Sequence, residues 1–561
     1  MTKILNINPE NIKTIFNNEN YKIIDFSFPS ISFDPKESSD FNIDSFICKR
    51  VINEISKIEC DLIVIPVSLT VNFLEFVGLR LAYHIRLTST QNQYKPIIFL
   101  SDINLNELLK LNDLCEILYA NGSYLLKTNE AELVALIETG KLRDLSQNDF
   151  KIFVNKINFS SPENYLSNHS IANEWGISRW AGVLKVSDEK ITQVKENVES
   201  LLYFKYLQNK YPPSITIVSN YLCSGRGKVV YIDDEWNKGW KTVLEKFFSF
   251  SQQIDFSVLE ENFKDKTSCD IERIVKDFII SENPDLIILD LRLNDNDFTH
   301  NTLKLFTGYK ILEAIKALNP GYQIIIFSAT SKIWNLLELQ KNGANGFILK
   351  EAPELNVETN YAKKSIEFLK KHVEKALSKT KHRSIWQLMQ KAKNATNYSN
   401  SNYISESAIS IEIAWGLMVS GNLNYAYLSL YQAIEKYGES EWRSSDNSMI
   451  ESSGALIKII EITSPAPAYS STWMLKYVFN RTGSYFKIEN VIITQEEKIS
   501  ALVQVSAVCA FRLGKDDVYL QKIGMLNQLR NDIAHRGKQL NSYTEIEELL
   551  NLLYEIRNTN I

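Results

Sequence analysis

Five polar residues in this chain have the types and spacing that phosphoryl chemistry needs. Asp233 and Asp234 stand together in VVYIDDEW (Val229–Trp236), Asp290 closes DLIILD, Ser328 lies near the end of IIIFSA and Lys350 follows GFIL. Clustered carboxylates repel one another unless a hard cation sits among them, and Mg2+ takes oxygen ligands from one or two carboxylates plus phosphate. A carboxylate can also act as a nucleophile and become an acyl phosphate. Asp290 is the expected phosphoacceptor. Asp233 and Asp234 are expected to hold Mg2+ beside it, with the Arg292 backbone carbonyl as a further ligand, while Ser328 and Lys350 bind the phosphoryl oxygens.

The elements that must position these groups are legible from the runs preceding them. Short continuous apolar runs between helical patterns read as parallel strands buried on both faces. In such sheets the working groups sit just beyond the carboxyl ends of the strands. The two acids, the third acid, the hydroxyl and the lysine are therefore expected on one rim.

With its key residues in this order, Val229–Lys350 resembles the receiver domain of bacterial two-component response regulators. Phe347, three residues before Lys350, stands where that family carries an aromatic switch residue. The resemblance implies a flavodoxin-like, doubly wound parallel sheet, a sensor histidine kinase as partner, and Mg2+ in the site. The sequence departs from the family in three places that bear on the lifetime of the phosphorylated state. Arg292 stands two residues after the acceptor, the loop from Asn294 to Thr307 is long, and Lys350 is followed by Glu-Ala-Pro.

The same pattern recurs upstream. DLIVIP (Asp61–Pro66) parallels DLIILD, with Pro66 in the place of Asp290; FVGLRLAYHIR parallels FTGYKILEAIK, glycine included. PIIFLS and YLLK parallel QIIIFS and FILK, so that Ser101 and Lys127 echo Ser328 and Lys350. YKIIDF is expected to be the first strand of this repeat, with Asp25 a partial echo of the acidic pair and the first helix and second strand missing or remodelled. Proline carries no charge and cannot be phosphorylated. Residues 1–130 are therefore expected to be a second flavodoxin-like domain, a degenerate receiver serving packing, dimerisation or docking.

At 561 residues the chain has room for roughly three or four domains. A net charge of −5 argues against a general nucleic-acid coat, and six scattered cysteines without a CxxC pair fit a reducing compartment rather than zinc or disulfides. The N-terminus lacks a signal-peptide core, and no run of about eighteen apolar residues is present to span a membrane. A cytoplasmic protein is expected. Residues 131–213 read as a helical connector with buried Trp175 and Trp180, and residues 214–355 as the receiver. Residues 356–403 read as a linker helix, basic from Lys363 to Lys393 and ending in the Asn- and Ser-rich NATNYSNSNY. Residues 404–561, with apolar residues three and four apart, read as an α-helical bundle.

A second chemical site lies in LNQLRNDIAHRGK (Leu526–Lys538). Asn531 and His535 are four residues apart and share a helix face, whereas Arg530 is about 140° round from His535. The segment resembles the Arg-x(4–6)-His motif of the HEPN superfamily, helical domains that include many metal-independent ribonucleases. That resemblance implies a homodimer whose paired motifs cut RNA. His535 would act as general acid–base, Arg530 would stabilise phosphate charge, Asn531 would orient both, and a 2′,3′-cyclic phosphate would be left with no cofactor. The bundle from Ser401 onward holds 14 Lys and Arg against 18 Asp and Glu, so it is not itself a basic RNA platform. Such motifs also serve as structural elements in HEPN proteins that are not nucleases. The chain thus reads as a response regulator driving a ribonuclease, with the architecture of an anti-phage effector, or else as a signalling adaptor or phosphate sink. No helix-turn-helix stands out, so specific DNA binding is not expected.

Overall fold

The computed structural model describes residues 1–8, 21–30, 42–128, 130–161, 169–212, 221–300, 302–329, 333–350, 360–441, 456–458, 474–480, 483–489, 501–511 and 513–558. It divides into two compact units, Met1–Leu312 with Ile324–Leu377 and Glu313–Gln323 with Ser378–Ile561.

The first unit contains two parallel five-stranded sheets. The first comprises β1 (Thr2–Ile7), β2 (Tyr21–Phe26), β3 (Leu62–Pro66), β4 (Ile97–Leu100) and β5 (Ser123–Leu126), in the order β2-β1-β3-β4-β5. The second comprises β6 (Gly227–Ile232), β7 (Ile254–Val258), β8 (Leu286–Leu289), β9 (Gln323–Ser328) and β10 (Gly346–Leu349), in the order β10-β9-β8-β6-β7. Counted from its own first strand, each sheet has the same order, and the order reverses beside that strand. Ligands of open parallel sheets gather at such reversals. The central strands β3, β4, β8 and β9 are buried along their whole length, which is why their sequences are unbroken apolar runs.

The repeat seen in the sequence has a backbone counterpart. Gly78 N–H donates to the Val67 carbonyl at 3.1 Å, and Gly308 N–H donates to the Leu291 carbonyl at 3.0 Å. A Cβ on Gly78 would lie 1.8 Å from the Pro66 carbonyl oxygen, and one on Gly308 would lie 2.1 Å from that of Asp290. In both sheets a helix starts against the end of the third strand at a distance only glycine permits.

Several expectations are corrected. YKIIDF is the edge strand β2, not the first strand; TKILNI is β1, pairing with β2 on one side and β3 on the other. The second strand is thus present, and the place of the first helix falls in 9–20, outside the described residues. By strand register Asn8 stands in the place of Asp233, while Asn6, buried at 4 % exposure, stands in the place of Tyr231 and donates to Asp25 at 2.9 Å. The connector packs against both sheets. Its helices Gln147–Lys156 and Leu202–Lys210 pack into the first sheet's core, while His169–Leu184 sends Trp175 into that core and Ile177, Trp180 and Leu184 into the second.

The basic linker is two packed helices. Tyr361–Leu377 buries Ile366, Leu369 and Val373 in the second sheet's core, and Lys381–Asn394 buries Ile385 and Met389 in the C-terminal core. Apolar residues three and four apart set the packed stripe, and the lysines take the remaining faces. The Asn- and Ser-rich stretch separates two helices of the C-terminal unit instead of bounding it. Finally, that unit is not wholly helical. Helices Ser401–Val419, Leu423–Glu441, Ala501–Phe511, Asp517–Arg536 and Thr544–Asn558 are joined by an antiparallel sheet of β11 (Leu456–Lys458), β12 (Met474–Asn480) and β13 (Gly483–Glu489). MLKYVFN and GSYFKIE are rich in aromatic and β-branched residues, the composition of paired strands.

Candidate functional site

The second sheet delivers its polar groups through strand register. Ile232 pairs with Leu289, so Asp233 and Asp290 leave adjacent strands side by side; Leu349 pairs with Ser328, so Lys350 emerges beside it. Asp233, Asp290, Ser328 and Lys350 are all buried. Lys350 Nζ donates to Asp233 Oδ2 at 2.6 Å and to Asp290 Oδ2 at 2.5 Å. The second oxygen of Asp290 accepts from Leu291 N–H at 2.5 Å, and Asp233 accepts from Glu235 N–H at 2.7 Å and from the Tyr231 hydroxyl.

The ligand oxygens of Asp233, Asp234 and Asp290 lie within 4.8 Å of one another. Burial, then the charges of Asp233 and Asp290, push the Asp234 carboxyl far above the usual carboxylate range. Burial also raises Asp290, while the Lys350 ammonium and a Ser328 hydrogen bond work against that rise. Burial opposes the charge on Lys350, but the carboxylates of Asp233 and Asp290 outweigh it and raise its pKa. Three hard oxygen donors held together, with one carboxyl driven towards protonation, are a donor set suited to Mg2+.

Arg292 follows Asp290 by two residues, and its guanidinium lies 5.2 Å from the Phe298 ring and 5.1 Å from the Phe306 ring. Phe347 is half-buried within β10, three residues before Lys350, and is not part of the polar cluster. The long loop after Asp290 is ordered by a residue that sequence reasoning missed. Buried Asp297 accepts from Leu293 N–H at 3.0 Å, Asn294 N–H at 3.2 Å and Thr307 N–H at 3.0 Å. Its signal was the spacing to Asn294, with which it forms a capping box.

Above the carboxylates a cavity of about 20 Å³ is lined by Asn173, Asp234, Glu235, Asp290, Arg292, Phe298, Ser328 and Ala329. Asn173 comes from the connector helix, and its Nδ2 donates to the Glu235 carboxylate. Nothing local in the sequence marks it as part of this cleft.

Among the described residues the first sheet has no such cluster. Pro66 ends β3, Ser101 Oγ accepts from Ile103 N–H at 3.1 Å, and Lys127 is exposed.

In the C-terminal unit Arg530, Asn531 and His535 lie on the helix Asp517–Arg536. Arg530 Nη1 donates to Asn531 Oδ1 at 2.9 Å, and its Nη2 lies 3.1 Å from Glu435 Oε1 on the helix Leu423–Glu441. Arg530 and Asn531 are brought together. His535 is exposed in the last turn, and among the described residues no hydrogen bond or ion pair joins it to either of them.

Residues 10–126 match the family model of the inactive receiver domain. The N-terminal sheet domain is receiver-like, of the inactive kind. Regulatory protein LuxO of Vibrio vulnificus, in strains YJ016 and CMCP6, is 36% identical over 95 residues, which is 17% of this chain and 19% of the relative. The chain thus spans about a fifth of the length of the curated relatives it matches. Among solved structures, the receiver domain of a LuxO repressor homologue from Vibrio parahaemolyticus is similar at 21% identity, with 28% of this chain and 96% of that one covered and a TM-score of 0.20. NtrX from Brucella abortus in complex with ADP is similar at 16% identity, covering 39% and 35%, with a TM-score of 0.21. Over part of its length the chain is therefore similar to response regulators, LuxO among them. Receiver domains generally bind Mg2+ at their phosphorylation site. Among the described residues no helix is long and apolar enough to cross a membrane.

Proposed function

We propose that this chain is a response regulator in which Asp290 accepts a phosphoryl group from a sensor histidine kinase and a HEPN-type C-terminal domain carries the output. The observation that carries the first half is the cluster of Asp233, Asp234 and Asp290 within 4.8 Å, bridged by Lys350. On this reading the second sheet is flavodoxin-like. The Asp290 carboxylate attacks the phosphorus of the kinase phosphohistidine, and the N–P bond breaks with its electron pair returning to the imidazole. Asp233, Asp234, Asp290 and the Arg292 carbonyl would hold Mg2+, which would neutralise the charge gathered there. Ser328 and Lys350 then bind the new phosphoryl oxygens, and Phe347 reports the change to the surface. Drawing Lys350 off Asp233 and Asp290 is the charge event that such a switch needs, since it biases a bistable element instead of pushing it.

The output is a metal-independent endoribonuclease in a homodimer, with His535 as acid–base, Arg530 at the phosphate and Asn531 orienting them, in the manner of an anti-phage effector. The exposure of His535 supports a role towards an external substrate. A second reading, a non-enzymatic adaptor, is favoured by the ion pair of Arg530 with Glu435, which ties the motif into its own bundle.

Purified protein incubated with total RNA, with and without a beryllofluoride mimic of phospho-Asp290, separates the two. Cleavage that needs the mimic and is lost in Asp290→Ala and His535→Ala supports the coupled nuclease. A mimic that shifts the oligomeric state while no RNA is cut supports the adaptor.

A further inference from the structure

We infer that Asn173, on the helix joining the two sheets, is a positioning residue of the Asp290 cleft and sets how long the phosphorylated state lasts. The inference rests on the phosphoacceptor reading above and adds to it a control from outside the second sheet.

Three observations meet at this side chain. Asn173 is 4 % exposed and lines the small cavity over Asp290 together with Asp234, Arg292 and Ser328. Its Nδ2 donates to Glu235, whose own N–H donates to Asp233 Oδ1 at 2.7 Å, so the amide holds the loop that carries both paired carboxylates. Its Oδ1 is buried with no hydrogen-bond partner among the described residues. A buried amide oxygen left unsatisfied is costly, and a cleft of about 20 Å³ has room for one water to donate to it.

The helix cannot withdraw this amide easily. Two residues on, Trp175 stacks on Phe204 at 5.3 Å in the first sheet's core. A further turn along, Trp180 packs edge-on to Phe327 at 5.8 Å, next to Ser328. Gly239 makes room for the same helix, since a Cβ there would lie 3.0 Å from Ile177. The inactive receiver thus braces the helix that closes the active one.

Loss of the phosphoryl group is hydrolysis. Water forms a new bond to phosphorus, the bond to the Asp290 carboxylate oxygen breaks with its electron pair, and inorganic phosphate and a proton leave. The attacking water must enter the cleft that Asn173 lines.

The test uses the full chain, labelled with acetyl phosphate in Mg2+, with the half-life of the label measured in wild type, Asn173→Ala and Asn173→Ser. Mg2+ affinity is followed in parallel by tryptophan fluorescence, and folding by circular dichroism. Expected is a half-life shortened by about tenfold or more in both variants, the size of losing one hydrogen bond to a charged group, with weakened Mg2+ binding and an intact fold. The serine variant decides should the alanine variant misfold. A half-life and Mg2+ affinity unchanged in a folded variant overturn the role of Asn173 alone. A wild-type chain that takes no label overturns the phosphoacceptor reading, and this inference with it.

Discussion

Lys350 brings its charge between two buried carboxylates. It is 1 % exposed and contacts Asp233 and Asp290 at 2.6 and 2.5 Å, so its removal leaves buried acids facing one another. Breaking a buried ion pair from one side typically costs about 3–5 kcal/mol. Lys350→Ala is therefore expected to lose about 3 kcal/mol in Mg2+-free buffer. A cation bound among the same carboxylates would take over the neutralising role, so Mg2+ should restore far more stability to the variant than it adds to wild type. At a hundred times its dissociation constant a ligand contributes about 2.7 kcal/mol. Urea melts of both proteins with and without Mg2+ measure this, and an identical Mg2+ response in the two would remove the carboxylates as the cation's ligands. The types and order of these residues were legible in the sequence because each ends a buried strand. Asn173 and Glu235 were not, because what makes them part of the cleft is the docking of a distant helix, which leaves no local pattern.

Glycines at the start of two helices fix how each sheet is covered. Gly78 and Gly308 hold corresponding positions in the repeat, and a methyl group on either would meet backbone oxygen at 1.8 or 2.1 Å. Backbone cannot rotate away as a side chain can, so the helix or the strand end must move. Gly78→Ala and Gly308→Ala are each expected to destabilise by about 3 kcal/mol or more, among the larger effects of a single methyl group. In Gly308→Ala the displaced strand end is that of Asp290, so labelling by acetyl phosphate should fall with stability. Gly78→Ala should leave labelling intact while the chain remains folded. Thermal melts beside a labelling assay check both, and a Gly308→Ala protein with wild-type stability would contradict the close approach. The strands of the second sheet could be read from sequence because burial on both faces writes unbroken apolar runs. β1 was passed over because Asn6 interrupts its run, and the packed face of the helix Tyr361–Leu377 because ten basic residues from Lys363 to Lys393 mask a regular apolar stripe. β12 and β13 were overlooked inside a region whose flanks are helical.

At the scale of the whole molecule, the two units are interleaved along the chain, because Glu313–Gln323 folds with Ser378–Ile561. The turn at Gly321 lies directly on His382, where a Cβ would come within 2.6 Å of the histidine backbone, and Asn319 Nδ2 donates to the Arg383 carbonyl at 3.1 Å. His382 is 3 % exposed, with Nε2 2.9 Å from the Tyr543 hydroxyl. Burial, and then the charges of Lys379 and Lys316, push its pKa down to about 4 from an ordinary 6.5. Below pH 6.5 the unfolded chain binds a proton that the folded chain refuses until about pH 4, so stability is full above that window and is lost as the pH falls through it. The loss is at most about 3 kcal/mol. Lys316, lowered to about 7 by burial and then by Lys379, titrates at the upper edge of this window in both proteins, so the difference between wild type and a His382 variant isolates the histidine. His382→Gln keeps a polar partner for Tyr543 but cannot take up the proton. Urea midpoints followed from neutral pH down to about pH 5 should therefore fall more steeply in wild type than in His382→Gln. Parallel curves would mean that the seam where the inserted segment meets the C-terminal unit is not held by a neutral histidine.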